Sequence, residues 1–66
     1  MAVARVTRVI SSSKKGFQEA VDSAIDRASK TLRGITGGEV IATKVKVEKN
    51  KIIEYRVEMD IIFLLD

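Results

Sequence analysis

The period of the apolar positions changes from one stretch of the chain to the next. Residues 2–10 (AVARVTRVI) are rich in β-branched side chains and partly alternate, which predicts a strand. Ser11, Ser12 and Ser13 follow, and a serine here can accept from the free N–H groups of a starting helix. Phe17, Ala20, Val21, Ala24, Ile25, Ala28 and Leu32 then recur at spacings of three and four, drawing one apolar stripe along a helix. Gln18, Glu19, Asp22, Asp26, Arg27 and Lys30 fill its other side. There Asp22–Asp26 repels at i,i+4 while Asp26–Lys30 attracts, by roughly a few tenths of a kcal/mol. The small alanines at 20, 24 and 28 let this helix lie close to whatever it packs on, and Gly34 is a stop after Arg33.

Residues 34–38 (GITGG) read as the loop that leaves the helix. Residues 39–48 then read as a strand with Ile41, Thr43, Val45 and Val47 on one face and Val40, Ala42, Lys44 and Lys46 on the other. Lys49-Asn50 is a turn, since Asn tolerates a left-handed conformation. The last strand, residues 51–65, has an unbroken apolar odd face: Ile53, Tyr55, Val57, Met59, Ile61, Phe63 and Leu65. Its even positions are Glu54, Arg56, Glu58 and Asp60, then Ile62 and Leu64. Strands joined by a short turn pair antiparallel, and a strand–helix–strand crossover makes the first two strands parallel to each other. The longest and most apolar strand belongs in the middle. The expected fold class is therefore α+β, a β-α-β-β domain with a three-stranded antiparallel sheet in order 1-3-2, partly wrapped around one helix. One helix covers one face of the sheet. Where Ile62 and Leu64 turn the other face apolar, a neighbouring subunit is the simplest cover.

Composition sharpens that expectation. The chain has 66 residues and no Cys, His, Trp or Pro. A domain this short buries only about 60% of its unfolded surface and usually needs a staple, a metal or oligomerisation. Disulfides and His/Cys zinc sites are excluded, so an oligomer is expected. The net charge of +3 is spread along the chain in alternation with apolar residues, as on a solvated strand face. Lys44, Lys46, Lys49 and Lys51 lack the interleaved aromatics on which bases stack, so no nucleic-acid partner is expected. Arg5 and Arg8 interrupt any leader-like apolar stretch. The run from Ile61 to Leu65 is far short of the ~20 residues that span a bilayer, so the expected setting is cytoplasmic, with no membrane partner.

Catalytic chemistry is poorly provided for. No histidine or cysteine is available as base or nucleophile, and the carboxylates lie on solvent-facing sides. Ser12 and Lys15 formally make S-x-x-K, but its partner elements are missing and a helix cap is the better reading. Gly34, Gly37 and Gly38 follow a helix instead of preceding one and lack the Lys-Ser/Thr of a phosphate loop. They make a turn, or a place where a ligand can approach the backbone closely. The protein is expected not to be an enzyme.

The order strand, serine turn, Phe-led helix, short loop and two long strands resembles the dodecin family over essentially the whole chain. The segments that carry the resemblance are residues 11–17 (SSSKKGF), 24–28 (AIDRA), Glu39-Val40 and the ending Tyr55-x-Val57-x-Met59-x-Ile61-x-Phe63. The resemblance implies a single domain over residues 1–66, a hollow homododecamer, and storage of flavins (riboflavin, FMN or lumichrome) in pairs at subunit contacts without turnover. In the family a Trp just before the second strand stacks on the flavin ring and a Gln in the third strand bonds its edge. Here those positions hold Gly37 and Arg56. The expected ligand pocket is lined by Thr36, Gly37, Gly38, Arg56 and Glu58, with tight paired flavin binding lost and a smaller or anionic ligand favoured. The alternative is a structural or calcium-binding dodecamer without flavin, with cations on Glu48, Glu54, Glu58 or Asp60.

Overall fold

A computed structural model describes residues 3–65 and places four elements in them: β1 (Val3–Ser13), α1 (Phe17–Ala28), β2 (Ile35–Glu48) and β3 (Lys51–Leu65). The sheet order is β1-β3-β2, and both outer strands run antiparallel to β3. The expected α+β topology is therefore the one observed. β3 is central because alternate residues along most of it face the helix. Val57, Met59, Ile61 and Phe63 are buried there, with Val57 and Ile61 fully so. Ala20 and Ala24 press onto this row from α1, and both are buried. A larger side chain at either alanine would hold the helix away from the sheet.

Several boundaries differ from the sequence reading. β1 runs through the serines, because β3 is long enough to pair with them as far as Ser13 opposite Tyr55. No serine caps the helix. The N-cap residue is Gly16, without a side-chain cap bond. Ser13 instead fixes the corner between β1 and α1: its hydroxyl accepts from Lys15 N–H and donates to Glu19 Oε1, both at 2.9 Å. The helix ends at Ala28, not at Arg33. Leu32 still reaches the core through a tight turn in which its N–H donates to the Ala28 carbonyl at 2.8 Å. Lys30 thus lies beyond the helix, and the i,i+4 pairs seen among the described residues are Gln18–Asp22 and Lys15–Glu19.

The glycine stretch is strand, not loop. β2 begins at Ile35, and Gly37 and Gly38 pair with Ile62 and Ile61. Of these three glycines only Gly34 lies outside the strand, at φ 73°, and its carbonyl accepts from Leu64 N–H at 2.9 Å. A second difference lies at Ile41. An irregularity between Val40 and Ala42 leaves Ile41 as the extra residue, so Val40 pairs with buried Met59 and shares the helix-side face with Thr43 and Val45. A strict alternation had put Val40 on the opposite face.

The twelve-residue helix spans about 18 Å, whereas a strand of fifteen residues spans about 50 Å. The β2–β3 hairpin therefore projects as an arm, and the chain measures 51 × 20 × 13 Å. Its radius of gyration is 13.6 Å, against about 11 Å for a compact domain of this length. Val45, Val47, Ile52 and Ile53 lie exposed on the arm. At the other end of β3, Ile62 is half-buried and Leu64 exposed on the face away from the helix, as the sequence predicts.

Lys49 (φ 52°) and Asn50 (φ 66°) both adopt left-handed backbone, which gives the two-residue turn the type I′ form whose twist suits a hairpin. Lysine bears a steric cost there that Asn bears less. Lys49→Asn is expected to stabilise the chain by up to about 1 kcal/mol, read as a Tm rise of several degrees. An unchanged or lower Tm would contradict this account of the turn.

Candidate functional site

The face of the sheet away from α1 carries the chemistry. Strand register sets its residues in rows across β1, β3 and β2: Ser12–Arg56–Lys44, then Ile10–Glu58–Ala42, then Arg8–Asp60–Glu39, then Val6–Ile62–Gly37. Along β3 this face carries Glu54, Arg56, Glu58 and Asp60, and Arg8 and Lys44 on the flanking strands reach Glu58 and Asp60. Arg8 grips Asp60 with two hydrogen bonds, Nε to Oδ1 at 2.7 Å and Nη2 to Oδ2 at 3.1 Å. Its Nη1 lies 3.7 Å from Glu58, and Lys44 reaches the same carboxylate from β2 at 3.9 Å. Arg56 donates from Nε to Glu54 Oε2 at 2.9 Å.

These pairs set the protonation of the face. The hydrogen bond from Arg8 holds the Asp60 carboxyl below its ordinary value, and the same bond raises the Arg8 guanidinium. The hydrogen bond from Arg56 likewise lowers Glu54. The arginines are exposed and the carboxylates partly so, and each pair contributes modestly. For Asp60 the sign follows from the lowered folded-state value: the stabilisation is present above the unfolded carboxyl value of 3.8 and is lost as pH falls through the lower folded one. The Tm deficit of Asp60→Asn relative to the wild type is expected at neutral pH and should shrink below pH 3.8. A deficit that does not change with pH would remove the ion pair as its cause.

The five expected pocket residues do not meet within one chain. Gly37 lies opposite Ile62, and Arg56 is six positions further back along β3, roughly 20 Å at strand spacing. Glu58 lies between them. Gly37 opens onto free space, with nothing within 4 Å of where a Cβ would stand. Gly38 is confined: a Cβ there would lie 3.0 Å from Met59 Cε and 3.3 Å from the Asp60 carbonyl oxygen. Thr36 is exposed at an irregularity between Ile35 and Gly37.

The candidate cation ligands do not converge either. Among the described residues no three Asp or Glu side chains gather as a metal site would require. Glu54, Glu58 and Asp60 each face an arginine or lysine, and Glu48 faces Lys46 at 4.0 Å. An open groove of about 770 Å³ between α1 and β1 escapes sequence reasoning. Ala24, Ala28, Val9 and Ser11 line it together with Arg27 and Lys30, and none of the five expected residues does.

The family model described as Dodecin matches residues 3–66. The chain belongs to the dodecin family. Dodecin from Streptomyces coelicolor superimposes with a TM-score of 0.93 at 32% identity, covering 98% of this chain and 93% of that one. The tt0972 protein from Thermus thermophilus does so at 0.94 and 27% identity, covering 100% and 97%. A calcium dodecin from Mycobacterium tuberculosis, described as a calcium chelating immunodominant antigen with a novel calcium-binding site, matches at 0.84 and 25% identity, covering 97% and 91%. Among curated proteins none matches. No helix among the described residues is long and apolar enough to cross a membrane.

Proposed function

We propose that this dodecin assembles as a hollow homododecamer and holds a small planar ligand at its subunit contacts, without catalytic turnover, in a pocket lined by Thr36, Gly37, Gly38, Arg56 and Glu58. The observation that carries the reading is the spacing of those residues. They share the β2–β3 ribbon but lie too far apart in one chain to touch a single ring system, so a pocket using all five takes residues from more than one subunit. The exposed apolar side chains of the arm and of Val6 and Leu64, beside half-buried Ile62, support assembly independently. With open space at Gly37 in place of a stacking ring, flavins bind weakly.

Light scattering tests the assembly: twelve chains of 7.3 kDa come to about 88 kDa, and a monomer or dimer would refute it. Fluorescence titration with riboflavin, FMN and lumichrome tests the ligand. Strong quenching at micromolar protein would show that Gly37 is compensated elsewhere. The second reading, a calcium-binding shell without flavin, is favoured by the calcium dodecin from M. tuberculosis. Calorimetry with calcium and magnesium on the assembled protein decides it, and absence of heat would remove it.

A further inference from the structure

The two arginines of the far face are held differently. Arg8 commits Nε and Nη2 to Asp60, and its Nη1 leans toward Glu58. Arg56 is bound at Nε alone, by Glu54, and among the described residues neither of its Nη atoms has a hydrogen-bond partner. An arginine anchored at Nε and free at both terminal nitrogens presents a pre-oriented fork of N–H donors, which matches a carboxylate.

The surroundings add to this. Lys44 stands directly opposite Arg56 on β2, and like charges facing across a sheet repel. Glu58 reaches Lys44 and Glu54 reaches Arg56, each from one row away, so neither carboxylate lies between the two cations. Lys46 stands opposite Glu54, and Ser12 opposite Arg56 on β1. One row from Arg56, on the same face, Ile10 is 72% exposed. A cationic fork beside a bare aliphatic side chain fits an aromatic acid, with its carboxylate on Arg56 and its ring against Ile10.

We propose that Arg56 determines the specificity of the ligand position for small planar carboxylates and that Glu54 is its positioning residue, aiming the fork by holding Nε. This rests on the reading that Arg56 lines the ligand pocket. A glutamine at this position would offer a donor and an acceptor. Arginine offers donors only, and so favours a ligand edge made of acceptors.

The test uses the assembled full-length protein and two fluorescent probes of the same ring, 2-naphthoate and neutral 2-naphthol, titrated at neutral pH. The wild type is expected to bind 2-naphthoate about tenfold tighter or better. Arg56→Gln should bring the two probes level. Glu54→Ala should weaken 2-naphthoate about fivefold and leave 2-naphthol unchanged, because it releases the guanidinium without removing it. Glu54→Gln, whose amide oxygen still accepts from Nε, should restore most of the loss. Equal binding of both probes by the wild type overturns the carboxylate selectivity. Wild-type affinity in Glu54→Ala overturns the positioning role. Failure of every variant to bind either probe overturns the pocket reading itself.

Discussion

Gly37→Trp is expected to raise flavin affinity well above that of the wild type. Gly37 pairs with Ile62 just after the irregularity at Thr36, and a Cβ there meets nothing within 4 Å, so the indole enters free space on the far face. Stacking on an aromatic side chain is worth about 1–3 kcal/mol per ring contact. A flavin held between indoles from two subunits would gain about twice that, an affinity increase of roughly thirtyfold or more. Riboflavin or lumichrome fluorescence at micromolar protein reads the change. The matched control is Gly38→Trp. Its Cβ would stand 3.0 Å from Met59 Cε and 3.3 Å from a backbone oxygen, so it should lower Tm and bring no flavin affinity. Unchanged flavin affinity in folded, assembled Gly37→Trp would show that the missing ring is not what limits binding.

Ile61→Ala should cost more than any surface change. Ile61 is fully buried between the helix and the middle of the sheet, and deleting such a side chain typically costs about 2–5 kcal/mol. A 66-residue domain has roughly 3–10 kcal/mol of stability in all, so the loss takes a large share of it. Thermal unfolding followed by circular dichroism is expected to show a Tm lowered by more than 10 °C, with the assembled mass reduced in light scattering. Ile62→Ala, one residue on, faces the other side of the sheet and is only half-buried in one chain. It should leave the subunit folded and weaken assembly. Equal effects of both variants on the folding of the subunit would contradict the assignment of the two faces.

What could be read from the sequence follows from what periodicity can register. The odd-position row of β3 is so regular that it fixed the central strand and the strand order, and the Phe17–Ala28 stripe fixed the helix. Ends and irregularities were hidden. Nothing in Ser11–Ser13 distinguishes a helix cap from the end of a strand, because the partner that decides it, Tyr55, is 42 positions away. Gly37 and Gly38 look like loop residues, and only pairing with β3 makes them strand. The extra residue at Ile41 leaves no mark in composition, so alternation put Val40 on the wrong face. Arg56 and Glu58, proposed here as pocket residues, are legible as neighbours on one strand face. Their separation from Gly37 was not, because it depends on which β3 residue each β2 residue meets.

The pairing of β1 with β3 also orders events during synthesis. Val3 meets Leu65 and Ser13 meets Tyr55, so every residue of β1 waits for a partner translated after the other elements. The β2–β3 hairpin joins neighbours through a two-residue turn and can form locally. β1 and the helix close over it by long-range contacts. A growing chain on the ribosome therefore carries β1 with its backbone N–H and C=O groups unpaired until β3 has been made, and many identical nascent chains on one message present that open strand to one another before any has a finished sheet.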